Sequence, residues 1–103
     1  MKANYMFKVA RKDESKAVRP WVDVVDFICI ASSANEAMLW HPNGELLKVD
    51  AAGKFIGYTV GWVKSIDELE VTKLSIDPVV DVMTENEERK IRLVPGPFSV
   101  NYV

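Results

Sequence analysis

Apolar and polar residues alternate along much of the chain, and the alternation breaks at a few defined points. Tyr5 to Ala10 reads as a first strand, followed by a polar loop or hairpin tip from Arg11 to Lys16. Arg19-Pro20 disfavours helix at position 19 and leads into extended chain. Residues 22–31 are dense in β-branched and aromatic side chains and lose their polar positions after Asp26. That is the pattern of a strand running from an edge into a core. Ser33-Ala34-Asn35-Glu36 then fits the S-x-x-E capping box, in which the serine oxygen accepts the Glu36 amide and the glutamate reaches back to the amide of Ser33. The helix it opens covers about residues 34–41, because Pro42 bars continuation and Asn43-Gly44 supplies an exit turn with glycine at positive φ. A helix of roughly two turns is not stable alone. It has to pack on the strands, through Ala34, Ala37, Met38 and His41 on one face, with Trp40 flanking it.

Beyond the helix the signals are shorter. Residues 45–50 read as a short strand or irregular segment before a turn at Ala51-Ala52-Gly53-Lys54. Phe55 to Val60 and Gly61 to Lys64 read as strand interrupted by Gly57 and Gly61, glycines that mark bulges or close backbone approach. Ser65-Ile66-Asp67-Glu68 is a second capping-box-like site, with room for a single turn before the strand Leu69 to Ile76. Asp77-Pro78 ends that strand. Val79 to Met83 and Arg89 to Val94 then form a hairpin around the polar tip Thr84 to Glu88; a helix capped at Thr84 is the alternative, disfavoured by the alternation at Ile91 and Leu93. Pro95-Gly96-Pro97 stops the chain, and Phe98 to Val103 is a last short strand. The expected fold class is α+β: a mostly antiparallel sheet with one short dominant helix packed on it, in a single domain over residues 1–103.

Composition sharpens this picture by exclusion. With 103 residues, 49% of them hydrophobic, folding buries about two-thirds of the chain's surface, enough for one core without staples. One cysteine and one histidine cannot make an intrachain disulfide or a four-ligand zinc site. The longest apolar run, Phe27 to Ala31, is far short of the ~20 residues that span a bilayer. Lys8 interrupts any signal-peptide core near the start. The expectation is a cytoplasmic protein that does not cross the membrane. The net charge of −2 hides an uneven distribution: residues 1–20 sum to +4, residues 21–88 to −9, and residues 89–103 to +3. If both basic ends pair with the acidic middle in a sheet, the asymmetry neutralises itself.

Candidate chemistry is sparse. Cys29 sits in Phe27-Ile28-Cys29-Ile30, an apolar setting that raises a thiol's pKa and marks a core residue. His41 stands at the helix exit, where a ring interacts with the last carbonyls. A Cys29–His41 dyad would need an exposed thiolate and an oxyanion site, and neither is signalled. The pairs Asp67-Glu68 and Glu87-Glu88 point to opposite faces of a strand, and no calcium loop, phosphate loop, nucleophile elbow or dinucleotide fingerprint occurs. No catalytic residue, metal ligand or cofactor is therefore assigned. The aromatics remain. Trp21 after Arg19-Pro20, and Tyr58 and Trp62 beside glycines with Lys64 following, suit a flat stacking or partner surface made by Arg19, Trp21, Tyr58, Trp62 and Lys64. A pI near 5.4 argues against nucleic acid as the partner.

Residues 26–42, from Asp26-Phe27-Ile28 through Ala31-Ser32-Ser33 and Glu36-Ala37 to His41-Pro42, followed by Gly61-Trp62-Val63-Lys64-Ser65 and Leu69-Glu70-Val71, resemble small proteins of tailed phages and prophages. In these, a strand ending in Ala-x-Ser leads to a capped Glu-Ala helix, a His-Pro exit and a later Trp-Val strand. The likeness covers about residues 25–74; where such proteins carry arginine after the Glu-Ala pair, this chain has Met38. The resemblance implies a phage accessory protein and transfers no catalytic residue. Together these readings lead to a non-enzymatic protein-binding module, a modulator or inhibitor of a bacterial host or defence protein. The alternative is a protein that sequesters a nucleotide or metabolite between Trp62, Tyr58 and basic side chains. An exposed strand also leaves a homo-oligomer open.

Overall fold

A computed structural model describes residues 3–12, 16–57, 61–78 and 95–103. Its main sheet has four antiparallel strands, β1 (Tyr5–Arg11), β2 (Val24–Ala31), β5 (Leu69–Lys73) and β6 (Gly96–Tyr102), in the order β5-β1-β2-β6. The helix α1 (Ala34–Leu39) packs on this sheet, and β3 (Lys48–Val49) and β4 (Phe55–Ile56) form a separate two-stranded hairpin. The fold is α+β, as the hydrophobic patterning predicts. The hairpin predicted within residues 79–94 lies outside the described residues.

Register explains the core. Phe7 pairs with Cys29 on one side and Lys73 on the other, and Val9 pairs with Phe27 and Val71. Because side chains alternate across a strand, one face collects Phe7, Val9, Phe27, Cys29, Ala31 and Leu69. This cluster is buried together with Val24, Ala37, Trp62 and Val63. The opposite face carries Lys8 beside Asp26 at 3.8 Å. A charge from the basic first block is thus set against one from the acidic middle. Cys29, Ile30 and Ala31 are buried in succession, as expected for a strand whose polar positions run out toward one end.

Two bulges depart from strict alternation. Val24 pairs with Tyr102 and Asp26 with Asn101, leaving Val25 as an extra residue. Ile28 pairs with Ser99 and Cys29 with Pro97, which leaves Phe98 extra. A bulge releases its additional side chain from the ladder's inside-outside rule, and both residues are solvent-exposed despite their apolar character. The last strand also starts earlier than expected, at Gly96 rather than Phe98. Pro97 is tolerated because β6 is the terminal strand in the described order, where a missing amide is least costly.

The helix begins where the capping pattern places it. Ser33 is the N-cap and its Oγ accepts the Glu36 amide at 3.1 Å. The return arm differs: Glu36 Oε2 accepts the Ser32 amide at 3.1 Å and the Ser32 hydroxyl, not the Ser33 amide. Two donors on Ser32 outcompete one. The helix ends at Leu39, two residues before the predicted limit. His41 precedes a proline and so cannot be helical, and Trp40 is already extended, in a bridge to Leu46. The exit turn closes through His41 O accepting from Gly44 at φ +98°.

Strand is not formed at the predicted positions 22–23, Gly57, 61–64 and 74–76. Trp21–Asp23 is a single 3-10 turn, so β2 starts at Val24. Gly57, at φ +115°, ends β4 after two residues. Tyr58 to Val60 lie outside the described residues, and Gly61 to Lys64 is a bent segment without a named strand. The one-turn expectation at Ile66–Glu68 is met. Close approach at Gly61 is also met: a Cβ there would lie 2.8 Å from Val63 O and 3.0 Å from the Phe55 ring. Gly61→Ala should therefore lower stability by about 1–3 kcal/mol, the usual cost of overpacking, read as a reduced urea midpoint with an unchanged m-value.

Candidate functional site

The Gly61–Lys64 segment has no place in the main sheet, yet it and the adjoining Ser65 are held by five hydrogen bonds. The Trp62 carbonyl accepts from Val18 N at 2.7 Å, and the Lys64 carbonyl from Phe55 N at 3.1 Å. Glu68 Oε2 accepts from both Lys64 N and Ser65 N at 3.1 Å, and the Ser65 hydroxyl donates to Gly53 O at 3.1 Å. The Trp62 side chain turns inward. Its ring is 3% exposed, meets Phe27 edge-on at 5.5 Å, and lies 5.8 Å below the Arg11 guanidinium. Trp62 is thus a core residue, and its ring offers no face for a partner or a ligand to stack on.

The other residues singled out from the sequence separate into two places. Arg19 is exposed, and Trp21 is half-buried with its ring edge-on to the buried His41 ring at 4.4 Å. Next to Trp21 the β2–β6 pair ends with three exposed apolar side chains: Val22 (48%), Val25 (37%) and Tyr102 (62%). Val22 and Val25 flank Asp23 and Val24, whose backbones meet the end of β6 through the Val24–Tyr102 pairing and the Val103 N to Asp23 O hydrogen bond of 2.8 Å. Lys64 instead lines an open groove of about 350 Å³, with Val18, Lys54, Phe55, Gly57, Gly61 and Val63. Trp62 is brought near this groove only through its backbone. Tyr58 lies outside the described residues.

Sequence reasoning missed Phe55 and Lys54, and it counted Tyr102 among the aromatic leads without assigning it to the partner surface. Phe55 reads as an ordinary strand residue, and its seat on Gly61 depends on a contact between two segments. Lys54 lies in a predicted turn that carries a further signal. Asp50 Oδ1 accepts the amides of Ala52 and Lys54 at 2.9 and 3.0 Å, and Gly53 follows at φ +83°. That aspartate-to-glycine pattern fixes the tight turn and places Lys54 opposite Ser65.

The two potentially reactive side chains are used structurally. Burial, followed by the negative charge of Glu36, pushes the Cys29 thiol up to about 12, against the smaller opposing effect of a backbone hydrogen bond at Gly96. His41 Nδ1 accepts the Asn43 amide at 3.0 Å and so helps to close the helix-exit turn. Among the described residues no group of three or more His, Cys, Asp or Glu side chains is placed to hold a metal ion, and no helix is long and apolar enough to cross a membrane.

The class defined so far is an α+β domain with an antiparallel sheet, a short capped helix and an apolar corner beside Trp21. Compared with protein-family models, curated proteins and solved structures, the chain matches none.

Trp62→Ala should cost about 3–5 kcal/mol, as for other large core deletions, seen as a large drop in the urea midpoint; an unchanged midpoint would place the ring outside the core. Cys29 gives a pH prediction. Its thiol ionises near 9.0 when unfolded and about 12 when folded, so above pH ~9 the unfolded state loses the proton first. The contribution of Cys29 to stability is complete below pH ~9 and falls as pH rises toward ~12. Between pH 8 and 10.5, wild type should lose more stability than Cys29→Ala, measured as the change in urea midpoint of each.

Proposed function

We propose that this chain is a non-enzymatic protein-binding module, a modulator or inhibitor that acts on a bacterial host or defence protein. One observation carries the reading: the exposed apolar side chains Val22, Val25 and Tyr102 occur together where the β2–β6 pair ends, with half-buried Trp21 and exposed Arg19 just before them in sequence. Apolar side chains grouped at a surface gain free energy when a partner removes them from water. Tyrosine, tryptophan and arginine are also the side chains that most often anchor an interface. A neutral buried thiol at Cys29 and a histidine engaged in a turn support binding over catalysis. The bacterial host as the source of the partner follows from the phage-like pattern of residues 26–42 and 61–71.

The test is capture from bacterial lysate with wild type and with a Val22→Asp, Tyr102→Ala double variant, followed by titration of the identified partner. The expected outcome is one protein retained by wild type, with affinity about thirtyfold weaker for the variant, the effect of losing a ~2 kcal/mol anchor. Thermal unfolding should confirm that the variant is folded. Retention of nothing by wild type, or equal affinity of both forms, would reject the proposal.

A further inference from the structure

The groove at the β3–β4 hairpin is independent of the apolar corner and has a chemistry of its own. Its walls combine Val18, Phe55 and Val63 with the lysines Lys54 and Lys64, around an opening of about 350 Å³. That volume is at the lower end of small-molecule sites. The Phe55 ring is seated on Gly61, where a Cβ would come within 3.0 Å of it, so glycine at this position lets the aromatic ring settle against the groove floor.

Among the described residues the charges in the groove are not spent internally. Neither Lys54 nor Lys64 forms an ion pair among the described residues. The nearest carboxylates on the same segments are turned to the backbone. Asp50 Oδ1 accepts from Ala52 N and Lys54 N, and Glu68 Oε2 accepts from Lys64 N and Ser65 N. Both acids thereby build the two turns that hold the lysines, and each leaves its lysine ammonium available. Two cationic groups beside an aromatic ring and two valines match a ligand with a negative group at one end and a flat ring at the other.

We infer that this groove binds a small planar anion of the nucleoside monophosphate class, with Lys54 and Lys64 on the phosphate and Phe55 and Val18 against the base. The site differs from the one expected from sequence, since Trp62 is in the core and Phe55 takes the aromatic role. The phosphate contacts are solvent-exposed, so binding weakens as salt rises.

The experiment is a titration of the full chain, followed by amide NMR, with AMP, adenosine, inorganic phosphate and a short single-stranded oligonucleotide. AMP should shift amides of residues 54–57 and 61–64 saturably, and more tightly than adenosine or phosphate alone. A Lys54→Ala, Lys64→Ala double variant should weaken AMP by about tenfold or more. Phe55→Leu, which keeps an apolar side chain on Gly61, should weaken AMP while leaving the response to phosphate unchanged. The Val22→Asp, Tyr102→Ala variant should bind AMP as wild type does, which separates this site from the apolar corner. No saturable shift with AMP, equal responses to AMP and phosphate, or an unchanged affinity in the double lysine variant would each overturn the inference. Far tighter binding of the oligonucleotide than of AMP would replace the mononucleotide with a nucleic-acid strand.

Discussion

The edge contact between Trp62 and Phe27 is the interaction on which the non-sheet half of the molecule depends. Phe27 belongs to β2 and is placed by pairing with Val9 and Val100. Trp62 belongs to a segment with no named strand, and burying its ring beneath the sheet is what gives that segment a position. Burial of a tryptophan supplies several kcal/mol, enough to order the few residues around it against their conformational entropy of about 1–2 kcal/mol each. Once the ring is in place, the carbonyls of Trp62 and Lys64 are set to receive Val18 N and Phe55 N. The turn before Trp21 and the β3–β4 hairpin are then tied to the same anchor. Both surfaces with functional interest, the apolar corner and the lysine-flanked groove, flank this tie.

Glycine is the complement of that anchor. Gly61 leaves room for the Phe55 ring, and Gly96, at φ +128°, lies against the Trp40 ring with 3.5 Å to where its Cβ would be. At both places a bulky aromatic approaches backbone that a side chain would have held away. The chain's aromatic content is thus partly explained by packing against glycine.

Local order was legible where a few consecutive residues contain the whole physical cause. The alternation in residues 5–10 marks β1, the β-branched and aromatic run at 22–31 marks β2 with a start two residues too early, and Ser33 with Glu36 marks the helix start. Pro42 and Gly44 mark the exit, and Ser65 to Glu68 the single turn. The errors were of another kind. The bulges at Val25 and Phe98 require the partner strand's register, which no window of sequence contains. The site residues suffered the same way: Trp62 next to a glycine looks like a presented ring, and only the position of Phe27 decides that it is internal. Phe55 and Lys54 went unnoticed, and Tyr102 was not assigned to the partner surface, because each acquires its meaning from a segment distant in sequence.

What the sequence determined by itself is therefore the fold class, the helix and its cap, the burial of Cys29, and the exclusion of disulfide and zinc-finger frameworks. These follow from short-range sterics, capping hydrogen bonds, side-chain periodicity and the count of ligating residues. The tertiary structure alone decided which tryptophan is core and which borders the surface, where the sheet bulges, and which lysines share a groove. Those outcomes depend on competition among distant apolar groups for one limited interior, and that competition is resolved only when the strands have taken their register.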